Sequence, residues 1–107
     1  AIIYLITHKK LGAHKIGVAG ASKHNQRLQK HKNQGWEIYR HKEFPVGEEA
    51  FKIEQRILDW ILNIKKLPPF LSPEQMPQGG ASETFDGSEI ELSIVWAKVL
   101  QLSKIQK

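Results

Sequence analysis

The sequence predicts a small α/β domain, in which a three-stranded, mostly antiparallel sheet is flanked by helices in the order ββαβαα. Three observations predict this class. A chain of 107 residues has room for one compact domain, here residues 1–107. Two short apolar runs, residues 2–7 and 14–19, are typical of buried strands. Residues 48–65 repeat their apolar positions with the period of a helix, and helices of this kind pack against a sheet.

The first third of the chain predicts a hairpin followed by a helix. The two apolar runs are separated by a short turn that contains a glycine, so we expect them to pair as antiparallel strands. A helix is predicted over residues 23–34, because Ser22 is a good N-cap and Gly35 a good C-terminal stop. This helix has little to bury, since Leu28 is its one strong apolar residue.

The middle of the chain predicts a third strand and a strongly amphipathic helix. Residues 36–44 read as a strand, with Trp36 and Ile38 on one face and Tyr39 on the other. The helix at 48–65 should bury one stripe. The stripe consists of Ala50, Ile53, Ile57, Ile61 and Ile64, widened by Phe51, Leu58 and Leu62.

The last part of the chain begins with an irregular segment, residues 67–87, which is rich in proline and glycine. A connection of this length is uncommon in a small domain and is often functional. Within it, residues 83–85 favour a short strand. Ser88 and Glu91 are spaced as a capping box, which predicts a C-terminal helix over residues 88–107.

Charge is unevenly distributed along the chain. Residues 1–46 carry nine basic and two acidic side chains, a net +7, whereas residues 47–107 carry seven and nine, a net −2. A one-sided positive field attracts polyanions, which favours nucleic acid as a partner; the alternative is a basic surface that serves solubility alone. The absence of cysteine excludes disulfides and thiolate chemistry, and no apolar run reaches membrane-spanning length. We therefore expect an intracellular, cytoplasmic protein without a membrane partner.

Glu54 is the most unexpected residue, because it lies on the apolar stripe of the second predicted helix. Its helical neighbours are Ala50, Ile57, Leu58 and Ile61. A buried carboxylate costs several kcal/mol unless something pairs with it. One interpretation is a buried ion pair, or a carboxylate at the edge of the stripe that reaches water. The other is a metal ligand at the floor of a cleft.

Four basic or phenolic residues in the first third also stand out. Arg27 and His31 are four residues apart and share a helix face, either as part of a solvated basic helix or pointed at a ligand. Tyr4 interrupts an aliphatic strand. It is either an ordinary buried tyrosine, whose hydroxyl needs a hydrogen-bond partner, or a site residue. Lys15, on the neighbouring strand, is either a charge that protects a sheet edge or a site residue.

Taken together, these residues resemble the GIY-YIG nuclease superfamily. The tripeptides IIY (residues 2–4) and KIG (residues 15–17) are similar to its two signature tripeptides, with the family's usual ten residues between Tyr4 and Lys15. The helix with Arg27 and His31, a strand and a helix with Glu54 then follow in the family's order. The resemblance covers residues 2 to 65 and is weak beyond them.

The chain departs from the family pattern at three points. Ile2 replaces the first glycine, and Lys15 replaces the second tyrosine, as it does in some subfamilies. The asparagine that many members carry after the glutamate has no convincing match, since Lys66 stands twelve residues beyond Glu54. Glu83 or Asp86 is a candidate for its place.

The resemblance implies a divalent-metal-dependent DNA endonuclease that hydrolyses phosphodiesters. The implied catalytic residues are Tyr4, Lys15, Arg27, His31 and Glu54. Glu54 would hold one Mg²⁺ or Mn²⁺ ion, and Arg27 would donate to phosphate oxygens. Tyr4 would orient or deprotonate the attacking water with help from the charge of Lys15, and His31 would bond Tyr4 or the phosphate and shuttle a proton.

Nucleic-acid contacts are expected from the basic side chains around this site. These are Lys9, Lys10, Lys23, Lys30, Lys32 and Arg40. Base stacking is considered for Tyr39, His41 and Trp36, although a core position is favoured for Trp36. The choices between single and double strands, DNA and RNA, and a monomer, homodimer or larger complex stay open. The competing readings are an inactive nucleic-acid-binding module and a structural protein in which Glu54 pairs with Arg27.

Overall fold

The computed structural model describes residues 1–105, without the side chains of residues 21–25 and 105. The expected roles of Lys23 and His24 therefore lie outside the described residues. The strands are β1 (Ile2–His8), β2 (Ala13–Ala19), β3 (Glu37–Glu43) and β4 (Thr84–Asp86), and the helices are α1 (Ala21–Asn33), α2 (Gly47–Asp59) and α3 (Leu92–Ile105). Within these residues, no helix combines the length and the apolar character needed to cross a bilayer.

The sheet is antiparallel throughout and has the strand order β3-β1-β2-β4. The α/β class is confirmed, but the predicted count of three strands is wrong. The fourth strand comes from the irregular segment, where Thr84 lies opposite Lys15 and extends the hairpin on its outer side. The sequence marked residues 83–85 as a strand without indicating that they would join this sheet.

Each face of the sheet covers a separate apolar cluster. Ile3, Leu5 and Ile16 pack against α2 and α3 on one face. On the other face, Tyr4 and Ile6 pack against a cluster that includes Leu28, Trp36, Leu71 and Met76, from α1, the start of β3 and the irregular segment. The prediction that β1 is buried on both faces is confirmed. The predicted division of Trp36 and Ile38 from Tyr39 is also confirmed, since they contact different clusters.

Helix α1 ends as predicted but begins differently. Gly35 has a φ of +95°, the Trp36 amide donates to the His31 carbonyl at 3.1 Å and the Gly35 amide donates to the Lys32 carbonyl at 3.0 Å, which is a Schellman stop. The predicted N-cap at Ser22 is wrong. The helix is preceded by Gly20, which has extended backbone and no side chain to cap it.

Helix α2 buries the first part of its predicted stripe and exposes the last. Ala50, Ile53, Ile57 and Ile61 are in the core. Ile64 is 68% exposed, against the prediction. The helix ends in a π-helical turn over Trp60–Ile64, which changes the number of residues per turn and rotates later positions away from the sheet. Phe51 and Leu62, expected to widen the stripe, are also exposed.

The irregular segment contains two short 3₁₀ helices, Pro73–Gln75 and Ala81–Glu83, before it enters β4. The predicted capping box after it is wrong. The Ser88 hydroxyl donates to an Asp86 carboxylate oxygen at 2.7 Å, so it closes a turn and does not cap a helix. Helix α3 therefore begins at Leu92, later than the predicted start.

Candidate active site

The two tripeptides face each other across the β1–β2 hairpin. Tyr4 lies directly opposite Gly17, and its ring covers the glycine so closely that a Cβ there would collide with the ring. The glycine of KIG therefore makes room for the tyrosine of IIY. The Tyr4 hydroxyl has no hydrogen-bond partner among the described residues. Tyr4 is 1% exposed, and the small part of it that is accessible lines a cavity beside the sheet.

Lys15 lies two residues from Gly17 on the same face of β2 and is only 2% exposed. Its ammonium group donates to Glu83 Oε1 at 2.8 Å and to the Ile16 carbonyl at 3.2 Å, and lies 5.3 Å from the centre of the Tyr4 ring. A buried ammonium needs such a partner, because desolvation of an unpaired charge is costly. Lys15 is thus a buried, paired residue on a strand that lies between β1 and β4, and it does not protect a sheet edge.

Helix α1 brings Arg27 and His31 to the same cavity. Leu28 is buried against the sheet and anchors the helix, so its two polar neighbours lie at the margin of that contact. Arg27 is exposed, and its Nη1 donates to the Val18 carbonyl at 3.2 Å. His31 is buried, and burial together with the positive charges of Lys15 and Arg27 lowers its pKa to about 4. The imidazole is neutral at pH 7.

A cavity of about 260 Å³ joins these side chains. It is lined by Tyr4, Lys15, Arg27, Lys30, His31, Gln78, Gly79, Gly80 and Glu83. Four of the five predicted catalytic residues therefore meet in one place, from two strands and one helix. Its wall opposite the hairpin and α1 is the site loop, residues 76–83, which belongs to the irregular segment.

Glu54, the fifth predicted residue, is buried on α2 but is not among the residues that line the cavity. Burial raises the pKa of its carboxyl group, and the negative charge of Glu83 adds to the rise, while Lys15 and Arg27 act in the opposite direction. It accepts a hydrogen bond from Gln55 at 3.1 Å. Among the described side chains it has no ion-pair partner, so the expected alternative of a Glu54–Arg27 salt bridge is wrong.

The donor set for a metal ion is small. Among the described residues, no three His, Asp or Glu side chains converge as a metal site. Glu54 and Glu83 are close enough for the charge of one to raise the pKa of the other. Mg²⁺ takes few protein carboxylates and keeps several waters, and a cation there would relieve that repulsion. Carboxylate oxygens are ligands that Mg²⁺ takes, and Glu54 is the residue that would hold such an ion.

The sequence left the place of the family's asparagine open between Glu83 and Asp86. Glu83 lies in the site, as the partner of Lys15. Asp86 lies away from it, bonded to Ser88 and beside His14. Gln78 was missed altogether, although the unusual length and composition of its segment did mark the region as functional. Lys66, the residue at the family's spacing, is exposed.

The site loop approaches Lys15 through a glycine. Gly80 has a φ of +94°, and a Cβ on it would lie 2.5 Å from Lys15 Cε. Only glycine combines that backbone conformation with that approach. Gly80 is therefore required by this approach, which no periodicity could reveal.

The predicted nucleic-acid contacts are exposed where they are described, and one of them lines the cavity. Lys30 lines the cavity, and Lys9, Lys10, Lys32 and Arg40 are exposed. Arg40 stacks over the Tyr39 ring at 4.6 Å.

The aromatic residues considered for base stacking are divided between core and surface. Trp36 is buried, so the preferred core position is confirmed. Tyr39 packs partly against the core, and His41 is exposed on β3.

No protein-family model, curated protein or solved structure matches this chain. The residues of the site and their resemblance to the GIY-YIG pattern are therefore the basis for a function.

Proposed function

We propose that this chain is a divalent-metal-dependent endonuclease of GIY-YIG type, which hydrolyses phosphodiester bonds in nucleic acid, with DNA as the expected substrate. The observation that carries the proposal is the single cavity shared by Tyr4, Lys15, Arg27 and His31, with the buried carboxylate of Glu54 within range of its charges. These residues were singled out in the sequence, and four of them line one cavity. The hairpin alone brings Tyr4 and Lys15 together, so the support comes from Arg27 and His31, which α1 brings to the same cavity.

In the proposed reaction, the oxygen of a water molecule bonds to phosphorus, the ester P–O bond breaks, and the departing oxygen takes up a proton. The Tyr4 hydroxyl opens toward the cavity and orients or deprotonates that water. A free phenol has a pKa of about 10, and a nearby positive charge favours its ionised form. Lys15 supplies that charge beside the ring.

Arg27 is the one guanidinium that lines the cavity among the described residues. Its exposed position lets it donate to the non-bridging phosphate oxygens, where negative charge accumulates during the reaction. Glu54 would hold the divalent ion, and that ion, when bound, stabilises charge on the phosphate and the leaving oxygen.

Binding of the substrate would depend on the exposed basic side chains. Lys30 lines the cavity, and Lys9, Lys10, Lys32 and Arg40 are exposed elsewhere, with Lys9 3.9 Å from Glu37 and Arg40 donating to the Tyr39 carbonyl. These side chains would contact backbone phosphates. Affinity should therefore fall steeply as salt is raised, with little dependence on base sequence.

The second candidate is a nucleic-acid-binding module of the same fold that no longer cleaves. One observation favours it: the charge of Lys15, which replaces the family's second tyrosine, is already engaged by Glu83 at 2.8 Å. If Lys15 stays paired with Glu83, its positive charge is partly neutralised and favours the ionised form of the Tyr4 hydroxyl less. Both candidates predict salt-sensitive binding, so the two are separated by cleavage alone.

The deciding experiment incubates the chain with supercoiled plasmid, a single-stranded DNA oligonucleotide and an RNA oligonucleotide, each in Mg²⁺, in Mn²⁺ and in EDTA. Glu54→Gln is run beside it, and Glu49→Gln, on the same helix and outside the cavity, is the matched control. We expect metal-dependent cleavage that Glu54→Gln abolishes and Glu49→Gln keeps, with DNA binding retained in both. Binding without cleavage by every protein would support the inactive module.

Cleavage by Glu54→Gln at the rate of the unmodified chain would remove Glu54 from the metal site. A melting temperature unchanged by Mg²⁺, together with no binding, would favour a purely structural role for the chain.

A further inference from the structure

The imidazole of His31 makes one hydrogen bond among the described residues, and its partner is in the site loop. Gln78 Nε2 lies 3.1 Å from His31 Nδ1. The two residues are 47 positions apart, so the contact exists only when the site loop is packed against α1. In this arrangement the amide NH₂ group donates, since it cannot accept, and Nδ1 is then the nitrogen without a proton.

The orientation of the Gln78 amide is supported by a second contact. Its Nε2 also lies 3.6 Å from the thioether sulfur of Met76, which is an acceptor and never a donor. With the amide reversed, the carbonyl oxygen would face that sulfur without a donor. The NH₂ group of Gln78 therefore faces two acceptors, His31 Nδ1 and the Met76 sulfur. In this orientation Gln78 Oε1 is buried without a partner among the described residues.

The other ring nitrogen of His31 is directed to the cavity. Nε2 has no hydrogen-bond partner in the described part of the chain, and it is not one of the fully buried polar atoms that lack a partner there. It is therefore accessible, and the cavity that His31 lines gives it that access. With Nδ1 unprotonated, a neutral His31 carries its proton on Nε2.

We propose that Gln78 is a positioning residue, which holds His31 in the Nε2-protonated tautomer so that a fixed N–H group points at a phosphoryl oxygen in the cavity. The catalytic part of this inference rests on the proposed nuclease function, while the tautomer stands by itself. It changes the expected role of His31, because a nitrogen that already carries a proton donates to the substrate and does not remove a proton from water.

The charges around His31 keep it neutral. Lys15 on β2 and Arg27 on α1 both disfavour a third positive charge, and burial acts in the same direction. A neutral imidazole with a defined tautomer is thus the state in which substrate would meet it. No carboxylate is bonded to either ring nitrogen in the described residues, so Gln78 alone selects the tautomer.

The tautomer is tested by long-range ¹H–¹⁵N correlation spectra of the ¹⁵N-labelled full chain at pH 7. We expect His31 to show a protonated Nε2 and an unprotonated Nδ1. In Gln78→Glu the new carboxylate accepts and does not donate, so the proton should move to Nδ1; in Gln78→Leu both tautomers should appear. His14, bonded to Thr7 on the far side of the hairpin, is the internal reference and should not change.

A protonated Nδ1 in the unmodified chain, or the same tautomer in Gln78→Glu, would overturn the proposal. The catalytic part is tested by cleavage kinetics of the same variants. Gln101→Glu, at an exposed position of α3, is the control. We expect kcat to fall at least about tenfold in both Gln78 variants with KM within about twofold, since a positioned proton donor contributes 10²-fold or more.

The two failures are distinguishable. If the unmodified chain cleaves and the Gln78 variants keep its kcat, the positioning role is wrong and the nuclease assignment survives. If nothing is cleaved while the spectra show the expected tautomers, the nuclease assignment and the catalytic role fail together, and the structural assignment of the tautomer holds.

Discussion

Removal of the charge of Glu83 should destabilise the chain through Lys15. The ammonium is 2% exposed and the glutamate side chain 30% exposed, at a separation of 2.8 Å. With an effective dielectric constant of about 20, their attraction is about 6 kcal/mol before desolvation is subtracted. Loss of one partner of a fully buried pair costs about 3–5 kcal/mol. Partial solvation of Glu83, and the hydrogen bond that an amide retains, reduce this to about 2 kcal/mol for Glu83→Gln.

The assay is a double-mutant cycle of Glu83→Gln and Lys15→Met by chemical and thermal denaturation. At about 4 °C per kcal/mol for a domain of this size, Glu83→Gln should melt about 8 °C lower. In the Lys15→Met background the same change should cost almost nothing, because no buried cation remains, which gives a coupling free energy of about 1–2 kcal/mol. Glu74→Gln, exposed and unpaired in the same segment, is the control and should stay within 0.5 kcal/mol. Effects that add within about 0.3 kcal/mol would refute the buried-pair account.

The remaining predictions concern three residues of the site. The pKa of His31 is 6.5 in the unfolded chain and about 4 in the folded chain, so its contribution to stability is complete above pH 6.5 and is lost as the pH falls toward 4. The free energy of unfolding should therefore fall between pH 7 and pH 4.5 by about 2 kcal/mol less in His31→Gln than in the unmodified chain. An equal fall in the two proteins, measured by chemical denaturation, would contradict this. Arg27→Ala should lower turnover by about 100-fold or more while the melting temperature hardly changes. Lys52→Ala, at an exposed position of α2, is the charge-matched control. Near-normal turnover of Arg27→Ala would exclude Arg27 from the chemistry. Gly17→Ala should cost about 1–3 kcal/mol through the Tyr4 ring, whereas Gly47→Ala has room for its methyl group; equal melting of the two would count against the close approach.

The elements that the sequence predicted well are those whose signal is local. The hairpin, the stop of α1 at Gly35 and the burial of Glu54 each follow from residues within a turn or two of one another. The proximity of Tyr4 and Lys15 could also be predicted from local sequence, because a hairpin with a short turn has few possible registers.

The features that escaped prediction depend on residues far apart in the chain or on small differences in backbone geometry. Thr84 pairs with Lys15 across 69 positions, and three residues carry too little pattern to indicate which edge they join. The π-helical turn at the end of α2 leaves no mark in a stripe counted at 3.6 residues per turn, and so Ile64 was placed in the core. Gln78 is one amide in a segment without periodicity, and its role is visible only beside His31.

The pairing of β4 with β2 has a consequence for the order in which the chain matures. During synthesis the hairpin and α1 emerge first, with Lys15 still lacking its carboxylate and His31 its amide partner. Contacts across so many positions carry a large loop-closure entropy and form late in folding. A nascent chain that has not yet delivered residues 76–86 therefore holds Tyr4, Lys15 and His31 without the segment that completes their cavity, and the complete cavity should form late, once β4 has docked.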